Sequence, residues 1–299
     1  MKTDFLSGFV SIVGSPNVGK STLMNTLVGQ KVAIVSQRAQ TTRNTIRGVM
    51  TRENFQIVFI DTPGIHEPKN RLGEFMVKSA YGALDEIECA LFVVDPQMGI
   101  RERDDAILSR LKTIKAPVIA VINKADITPQ DKLSAVRDRL ERETWLLDIV
   151  QISALTGEGL QTLEEKLMTT LVPGPQYFPE DMVTDQPERV ICAEMVREAA
   201  LELLNEEVPH GIGVDIDKMH IREDDITDVW ATIYCEREGH KGIIIGKKGA
   251  MLKKIGSMSR VQMEWMLGCK VNLQLWVKVR ENWRNKPNDL RMLGYKENK

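Results

Sequence analysis

The stretch GSPNVGKS, at residues 14–21, brings glycine, lysine and serine together at the spacing of a phosphate-binding loop. Glycines let backbone amides curl around phosphate oxygens, and the N-terminus of a following helix adds partial positive charge. We expect Lys20 to reach the outer phosphates of a nucleotide and the Ser21 hydroxyl to ligate Mg²⁺. The stretch follows an apolar run and opens a helical one, which is the context that this chemistry requires.

The sequence DTPG, at residues 61–64, follows the apolar run QIVFI. Asp61 is therefore expected at the carboxyl end of a strand, where its carboxylate can hold Mg²⁺ through water. Gly64 would let the backbone approach a terminal phosphate. DTPG alone is also an ordinary turn, but its place downstream of the phosphate loop favours the nucleotide-binding interpretation.

The sequence NKAD, at residues 123–126, closes the apolar run PVIAVI, and SAL, at residues 153–155, follows another such run. Asp126 can accept two hydrogen bonds from N1–H and the exocyclic amine of guanine, which adenine cannot offer. We expect Asn123 and Lys124 to brace this loop, with the lysine stem over the base. SAL can give a backbone amide to guanine O6. These motifs, each after a strand-like run, indicate a guanine-nucleotide site.

Together the motifs resemble those of the translation-factor-related class of GTPases. The resemblance implies a threonine in QTTRNT, at residues 40–45, that senses the terminal phosphate through Mg²⁺. It favours Thr42 over Thr41, with a solvated polar loop as the alternative for either residue. In Ras-like enzymes a glutamine after the DxxG motif orients the attacking water, and Ile65 stands there instead. We therefore expect slow intrinsic hydrolysis, with water ordered by backbone, by a cation or by a bound partner.

The predicted nucleotide site uses GTP and GDP as substrate and product and Mg²⁺ as cofactor, and leaves open whether K⁺ takes part. Its catalytic residues are Lys20, Thr42, Asp61 and Gly64. Its Mg²⁺ ligands are Ser21, Thr42 and, through water, Asp61. The residues predicted to contact GTP are Gly14, Ser15, Pro16, Asn17, Val18, Gly19, Lys20, Ser21, Thr22, Asp61, Thr62, Pro63, Gly64, Ile65, Asn123, Lys124, Asp126, Ser153 and Ala154.

The elements that must position these motifs are short apolar runs that alternate with helical stretches over residues 8–171. Runs such as CALFVVD and PVIAVIN suit strands that are buried on both faces of a parallel sheet. The alternation predicts a doubly wound α/β domain, and GVMTREN could supply an extra edge strand. The predicted helices cover residues 20–29, 72–87, 103–115, 129–143 and 160–170.

Four prolines in residues 172–189 interrupt this alternation and predict a domain boundary. We expect a GTP-binding domain at 1–173, a linker at 174–187 and a second domain at 188–299. The second domain reads as helix, strand, strand, helix, glycine loop, helix and strand. Its predicted helices include 188–206 and about 250–267, and a last helical stretch starts near Glu281.

That order resembles the prokaryotic-type (type 2) KH domain, an α+β module that binds RNA. The mark of the module is a GxxG loop that clamps about four nucleotides by their backbone. GKKG, at residues 246–249, fits this loop, and Ile243 to Ile245 would form the groove wall. A plain helix–turn–helix with a glycine break is the alternative. The predicted RNA-binding residues are Ile245, Gly246, Lys247, Lys248, Gly249, Lys253 and Lys254.

The charge distribution agrees with a polyanion partner at this end of the chain. The net charge is only −2, yet residues 240–299 hold 14 Lys/Arg against 4 Asp/Glu. One basic end usually directs itself at a polyanion, and a solvated basic tail is the alternative. Trp276 and Trp283 are interleaved with the basic residues of the C-terminal tail, among them Lys278, Arg280 and Arg284. The alternation of its strand predicts Trp276 to be core, and Trp283 stays undecided between core and base stacking.

Both halves together, over essentially the whole chain, resemble the Era family of bacterial GTPases. The resemblance implies binding to 16S rRNA near its 3′ end in the GTP state and a role in assembly of the small ribosomal subunit. It also implies a cytoplasmic protein with peripheral association to the inner face of the membrane. No apolar run approaches the roughly 20 residues that span a bilayer. A GTP-regulated scaffold for protein or membrane is the second hypothesis. A GTP-dependent RNA-modifying enzyme is the third, but it lacks a second catalytic cluster.

Overall fold

The computed structural model describes residues 5–36, 38 and 41–295, which divide into two units. The first unit takes in the described parts of Met1–Ala33, Thr42–Pro68 and Met76–Asp185. The second takes in the described parts of Ile34–Thr41, Lys69–Phe75 and Gln186–Lys299. Two short segments that lie early in the chain therefore group with the C-terminal unit.

The first unit is built on one mostly parallel sheet in the order β2-β3-β1-β4-β5-β6, with β7 paired antiparallel to β1. The β1–β3, β1–β4, β4–β5 and β5–β6 pairs are parallel, and β2 is an antiparallel edge strand, as predicted for GVMTREN. The predicted mostly parallel sheet is confirmed. The strands are β1 Leu6–Val13, β2 Ile46–Thr51, β3 Phe55–Asp61, β4 Cys89–Val94, β5 Val118–Ile122, β6 Asp148–Gln151 and β7 Val172–Pro173.

Helices cover both faces of this sheet, because alternate residues of one strand enter different apolar clusters. In β4, Leu91 and Val93 pack with residues of α1 and α5, whereas Ala90 and Phe92 pack with residues of α2, α3 and α4. This two-sided burial explains the near-continuous apolar runs. The helices are α1 Lys20–Val28, α2 Arg71–Gly82, α3 Glu102–Leu111, α4 Gln130–Glu141 and α5 Leu160–Met168. The part of α2 up to Phe75 groups with the second unit.

The segment predicted as a linker is held by hydrogen bonds within the first unit. The buried Gln56 side chain accepts from the amides of Tyr177 and Phe178 at 2.8 and 3.0 Å. The Val49 amide donates to the Val183 carbonyl at 2.8 Å. The chain passes into the second unit at 186, while the extents of the domains stay a prediction.

The second unit packs helices on one face of a sheet in the order β10-β9-β8. β8 and β9 are antiparallel, with an irregularity between Ile216 and Lys218, and β9 and β10 are parallel. The parallel pair needs a crossover, which α7, the GKKG turn and α8 provide. The elements are α6 Glu188–Leu203, β8 Gly213–Ile221, β9 Ile226–Cys235, α7 Glu238–Ile245, α8 Ala250–Leu267, β10 Lys270–Val279 and α9 Pro287–Met292.

The two tryptophans near the C-terminus reverse the expectation for one of them. The prediction that Trp276 is core was wrong, since 44% of it is exposed. In β10 the alternate residues Leu275 and Val277 face the apolar cluster, so Trp276 points to the other side of the sheet. Trp283, which the sequence left undecided, is fully buried and donates from Nε1 to the Gly211 carbonyl at 2.9 Å.

Candidate functional site

The predicted phosphate loop connects β1 to α1 and has a backbone that only glycine can follow at two points. Gly19 has a φ of 98°, and a Cβ there would lie 2.3 Å from Asn123 Nδ2. At Gly14, a Cβ would lie 2.4 Å from the Val93 carbonyl oxygen. Both distances are shorter than real Cβ contacts, so the loop closes tightly against β4 and the NKAD loop.

Lys20 begins α1 and lies inside the loop, with 6% of its surface exposed. Its ammonium donates to the carbonyls of Gly14 and Ser15 at 3.1 and 3.0 Å. Burial lowers the pKa of Lys20 to about 8, and the carboxylates of Asp61 and Asp104 act in the opposite direction. The lysine is thus held beside the loop backbone, at the place where the motif predicts outer phosphates.

Asp104 on α3 is a member of this site that sequence reasoning missed. It is 2% exposed, and its Oδ1 accepts from the Ser15 hydroxyl at 2.5 Å. Its Oδ2 accepts from the Arg101 amide at 3.1 Å, which caps the helix. The first turn of α3 carries three acidic residues, Glu102, Asp104 and Asp105, and no spacing signal separates Asp104 from an ordinary cap.

The three predicted Mg²⁺ ligands converge on one point. The Ser21 hydroxyl donates to Asp61 Oδ2 at 2.6 Å and lies 2.8 Å from the Thr42 hydroxyl. The Thr42 hydroxyl in turn lies 3.3 Å from Asp61 Oδ2. Hydroxyl and carboxylate oxygens are the donors that Mg²⁺ prefers.

Asp61 carries an orphan atom that fits a cation. Among the described residues, its buried Oδ1 has no hydrogen-bond partner. Burial raises the pKa of Asp61, and the ammonium of Lys20 is the largest opposing influence. A buried carboxylate oxygen without a donor is costly unless a cation or water meets it, so the residues present fit a magnesium ion.

Geometry distinguishes the two candidate threonines. The Thr42 hydroxyl lies with Ser21 and Asp61, and the residue is 6% exposed. The Thr41 hydroxyl instead donates to the Arg38 carbonyl at 2.7 Å, within its own turn. Of the pair, Thr42 is therefore the one whose oxygen is available to the cation site.

The DTPG loop approaches the phosphate loop closely at Gly64. A Cβ at Gly64 would lie 2.8 Å from Pro16, and the Ile65 amide donates to the Gly14 carbonyl at 3.3 Å. The buried Thr62 hydroxyl donates to the Ile12 carbonyl at 2.7 Å, and Pro63 beside it is buried as well. The loop is thus fixed by its backbone.

Ile65 occupies the position where Ras-like GTPases carry glutamine, and it is part of the core. It is 6% exposed and packs in the apolar cluster that includes Val13 and Phe92. An aliphatic side chain in this setting has no atom that can hydrogen-bond a water molecule. The side chain at position 65 therefore contributes an apolar surface and no hydrogen-bonding group.

The NKAD loop is tied to the phosphate loop by the side chains of its first two residues. Asn123 donates from Nδ2 to the Val18 carbonyl and accepts at Oδ1 from the Ala154 amide, both at 2.9 Å. Lys124 donates to the Asn17 carbonyl at 3.0 Å and to Asp95 Oδ2 at 2.6 Å. Asp95 is a second residue that the sequence motifs do not reveal.

The remaining predicted contacts surround this loop. Asp126 is exposed in the turn Ala125–Ile127, so its carboxylate is accessible to a base. The Ser153 amide donates to the Glu158 carbonyl, and the Ala154 amide is used by Asn123. If SAL donates an amide to guanine O6, the donor is therefore either the Ala154 amide, which would then bond both Asn123 and guanine, or the Leu155 amide. Thr22, in the first turn of α1, is half-buried.

The GKKG turn lies between α7 and α8 in the second unit. Gly246 has a φ of 71° and a ψ of 174°, and Gly249 has a φ of 78°. Lys248 between them has a φ of 52°, in the left-handed region. Lys247 and Lys248 are exposed, as are Lys253 and Lys254 on α8, while Ile245 is half-buried.

A groove of about 440 Å³ runs beside this turn, between α8 and β10. Lys253, from the predicted set, lines it together with Arg260, which the sequence reasoning missed. The floor is aliphatic. The lining residues that complete it are Gly249, Leu252, Gly256, Ser257, Val271, Asn272, Leu273 and Leu275.

The described residues present neither a cluster of metal-binding side chains nor a membrane-spanning helix. Within 5–36, 38 and 41–295, no group of three or more His, Cys, Asp or Glu side chains could hold a metal ion. In the same part of the chain, no helix is long and apolar enough to cross a membrane.

Two family models match the chain, one in its N-terminal part and one in its C-terminal part. The model described as 50S ribosome-binding GTPase matches residues 9–124, and the KH domain model matches residues 207–284. Among solved structures, Era in complex with MgGDPNP and nucleotides 1506–1542 of 16S ribosomal RNA is similar, with a TM-score of 0.93. It is 44% identical and covers 97% of this chain and 99% of that one. A variant of Aquifex aeolicus Era bound to GDP and AlF4⁻ has a TM-score of 0.94 at 44% identity and the same coverage.

Sequence relatives extend over almost the full length. GTPase Era of Ruminiclostridium cellulolyticum is 50% identical over 295 residues, which cover 99% of both chains. GTPase Era of Clostridioides difficile (strain 630) is 54% identical over 295 residues, 98% of this chain and 99% of that protein. Identity of this level, sustained from one end to the other, shows that the chain belongs to the Era family of GTPases.

Proposed function

We propose that this protein is a GTP-hydrolysing switch that binds 16S rRNA near its 3′ end and acts in assembly of the small (30S) ribosomal subunit. One observation carries the proposal: Ser21, Thr42 and Asp61 converge in a chain that also presents the GKKG turn. The solved Era complex with an RNA fragment supports the choice of RNA, because this chain aligns with 99% of that protein.

In the proposed GTPase site, side chains of this protein bind the phosphates and Mg²⁺ and recognise the guanine base. Lys20 holds positive charge at the outer phosphates, and the hydroxyls of Ser21 and Thr42 would ligate Mg²⁺, with Asp61 reached through water. When bound with Mg²⁺, GTP supplies the phosphoanhydride bond that water cleaves. Asp126 would accept hydrogen bonds from guanine, and Asn123 and Lys124 hold the loop that carries it.

Hydrolysis by the isolated protein is expected to be slow. The burial of Ile65 leaves no side-chain hydrogen-bonding group at the position where related enzymes orient water. Water near the terminal phosphate would then be ordered by the backbone of Gly64, by a cation such as K⁺ or by a bound partner. Each of these is separable by measuring turnover with Na⁺, with K⁺ and with RNA.

A link between the nucleotide site and the second unit is part of the proposal. Thr41 belongs to the second unit, and its neighbour Thr42 belongs to the first. Within the second unit, the Thr41 carbonyl accepts from the buried Arg197 guanidinium on α6, and the Val35 amide donates to Glu198 Oε1 at 2.8 Å. A change at Thr42 on loss of the terminal phosphate would therefore pull on a segment bonded to α6.

In the proposed RNA-binding domain, at 188–299, the backbone of an RNA strand follows the GKKG turn. Lys247 and Lys248 would meet phosphates, and Lys253 and Lys254 would extend the cationic track along α8. Bases would lie against the aliphatic floor of the adjacent groove, although Ile245, which the sequence predicted for its wall, is not among the residues that line it. The GTP-binding domain is proposed at 1–173 and the linker at 174–187.

The experiment that tests the switch is RNA binding in two nucleotide states. Affinity for an RNA spanning nucleotides 1506–1542 of 16S rRNA is measured with GDPNP and with GDP. We expect tighter binding with GDPNP, and equal affinity would overturn the switch while leaving both sites intact. Absence of RNA binding in both states, with nucleotide binding retained, would favour the scaffold for protein or membrane.

The proposed ribosomal role locates the protein in the cytoplasm. Peripheral association with the inner face of the membrane is supported by the family resemblance alone. Fractionation of cells that express a tagged chain, in low and high salt, would test both parts of this proposal.

A further inference from the structure

Trp276 lies on the face of the second sheet that turns away from α6 and α8. In β10, the apolar cluster takes Leu273, Leu275 and Val277, so the residues between them face outward. In β9 the same alternation buries Val229, Ala231 and Ile233, which turns Trp230 to the outer face as well. Trp230 and Trp276 therefore both lie on the outer face of the sheet, where neither contributes to the apolar core.

The two rings belong to one depression of about 460 Å³. It is lined by Asp217, Lys218, Trp230, Thr232, Trp276 and Lys278. In the β9–β10 register, Thr232 lies opposite Trp276 and Trp230 lies opposite Gln274. The tryptophans are thus diagonal neighbours on adjacent strands, close enough for one planar ligand to contact both.

Cations surround the rings. Lys218 Nζ lies 5.2 Å from the centroid of the Trp230 ring, within the range of a cation–π contact. Lys278 also lines the depression, and both lysines are exposed. On the same face, the Arg280 guanidinium lies 5.5 Å from the Tyr234 ring. Trp276 is exposed, Trp230 is half-buried and Tyr234 is buried, so the two tryptophans are the rings that a ligand can reach. Accessible aromatic rings beside cations are the arrangement that stacks bases and neutralises phosphates in single-stranded nucleic acid.

Asp217 adds a hydrogen-bond acceptor whose position is fixed. The buried Thr232 hydroxyl donates to Asp217 Oδ2 at 2.7 Å, and Asp217 itself is exposed. A carboxylate beside a stacked base accepts from an exocyclic amine, such as N4 of cytosine. Uracil presents a carbonyl at that position, which the carboxylate would repel.

We infer that this outer face is a second contact for single-stranded RNA, and that it takes one base with an exocyclic amine. The base stacks on Trp276 and Trp230, Asp217 accepts its amine, and Lys218 and Lys278 meet the flanking phosphates. The site is separate from the GKKG groove, which lies on the helical side of the sheet. It rests on the proposed function only for the choice of RNA as polymer.

The test uses the full-length chain and two labelled oligonucleotides, octacytidylate and octauridylate. Binding is measured in a Lys247→Glu, Lys248→Glu background, so that the groove contributes little. In that background we expect octacytidylate to bind more tightly than octauridylate. Adding Trp276→Ala should lower the affinity for octacytidylate by about tenfold, in line with the loss of one stacked base.

Matched variants separate this site from a general loss of fold. Trp265→Ala removes a tryptophan that is 66% exposed on α8, and it should change neither affinity. Asp217→Asn should bring the affinities for the two oligonucleotides together, because an amide can also donate to a uracil carbonyl. GTP hydrolysis and circular dichroism of each variant should equal those of the parent chain.

Three results would overturn the inference. The first is unchanged octacytidylate affinity after Trp276→Ala, and the second is equal affinity for both oligonucleotides in the Lys247→Glu, Lys248→Glu background. The third is a Trp276-dependent dimer in light scattering, which would assign the face to a second copy of the chain. If instead the GKKG groove does not bind RNA, RNA affinity would survive Lys247→Glu, Lys248→Glu and would fall only with Trp276→Ala.

Discussion

The phosphate loop and the GKKG turn use the same two residue types in opposite surroundings. In the phosphate loop, Lys20 is 6% exposed and bonded to two carbonyls, and a Cβ at Gly19 would meet Asn123 at 2.3 Å. In the GKKG turn, Lys247 and Lys248 are exposed, and no described atom lies within 4 Å of a Cβ at Gly249. One loop is enclosed by its neighbours and the other is open.

The difference matches what each loop has to recognise. Burying an ammonium is costly, so Lys20 is stable only where carbonyls and anions surround it, and a nucleotide phosphate completes that set. Exposed lysines cost nothing to hold and attract any phosphate, but salt screens them. An enclosed loop therefore suits one small ligand of fixed shape. An open loop suits a polymer whose phosphate backbone is the same whatever its base sequence.

The largest expected effect that tests this comparison is Lys20→Ala. Removing a preorganised charge at the reacting phosphates should lower the rate of GTP hydrolysis by about 100- to 1,000-fold, because nothing else in the loop replaces it. Single-turnover kinetics with saturating Mg²⁺ would measure the loss. RNA affinity in the absence of nucleotide should not change. A hydrolysis rate within a few-fold of the parent chain would show that the enclosed lysine is not essential.

Base selection is the next test, since the open turn has no equivalent of it. Asp126→Asn removes a charged acceptor for N1–H and the amine of guanine. We expect GTP affinity to fall by about 100-fold and affinity for xanthosine triphosphate to rise, because xanthine presents a carbonyl to the new amide. Competition of both nucleotides against a fluorescent GDP would measure the two changes. Asp131→Asn, an exposed carboxylate on α4, is the matched control. A parallel loss for both nucleotides would contradict the assignment.

The residues of the enclosed site could be proposed from the sequence because their motifs carry their geometry locally. Ser21, Asp61 and Asn123 each lie at the carboxyl end of a parallel strand or at the start of the next helix, so their meeting follows from the fold. Asp104 and Asp95 could not be found, because a single carboxylate on a helix or after a strand has no distinguishing spacing.

Tertiary contacts decided what the sequence could not. Trp276 and Trp283 have similar neighbours in the chain, but the register of β10 turns the first outward. The second stacks on Tyr295 and donates to the Gly211 carbonyl inside the unit. Likewise, nothing local marks Val35 and Arg38 as members of the C-terminal unit. They belong there because Glu198 accepts from the Val35 amide and Arg38 donates to the Leu204 carbonyl.

A smaller effect is expected from reversing charge in the open turn. Lys247→Glu with Lys248→Glu should weaken binding of the 16S rRNA fragment by about tenfold to 100-fold at moderate salt. It should also reduce the slope of log affinity against log salt by about 1.4, since each single-strand phosphate contact contributes about 0.7. Fluorescence anisotropy over a salt series would measure both quantities.

The matched control for that double change reverses two exposed lysines just after α3, Lys112→Glu and Lys115→Glu. It alters the net charge equally but lies in the first unit, so the salt slope should stay at the parent value. An equal fall for both double variants would mean that overall charge, rather than the GKKG turn, governs affinity. GTP hydrolysis in the absence of RNA should be the same in both.

The smallest effect separates the two glycines of the open turn. The backbone of Gly249 is left-handed, but a Cβ there would meet no described neighbour, so Gly249→Ala should cost about 1 kcal/mol of strain. That is about a fivefold loss of RNA affinity if the turn must hold this shape.

Gly246 has a backbone conformation that is almost restricted to glycine, and a Cβ there would lie 2.7 Å from Met251 Cβ. Gly246→Ala should therefore cost more and should speed amide hydrogen exchange at the start of α8. Equal losses at both positions would mean that the turn is as enclosed as the phosphate loop, and the contrast between the two loops would then fail. A loss confined to Gly246 would keep the contrast between the two loops. It would also show that the GKKG turn is enclosed only where Gly246 approaches Met251 of α8.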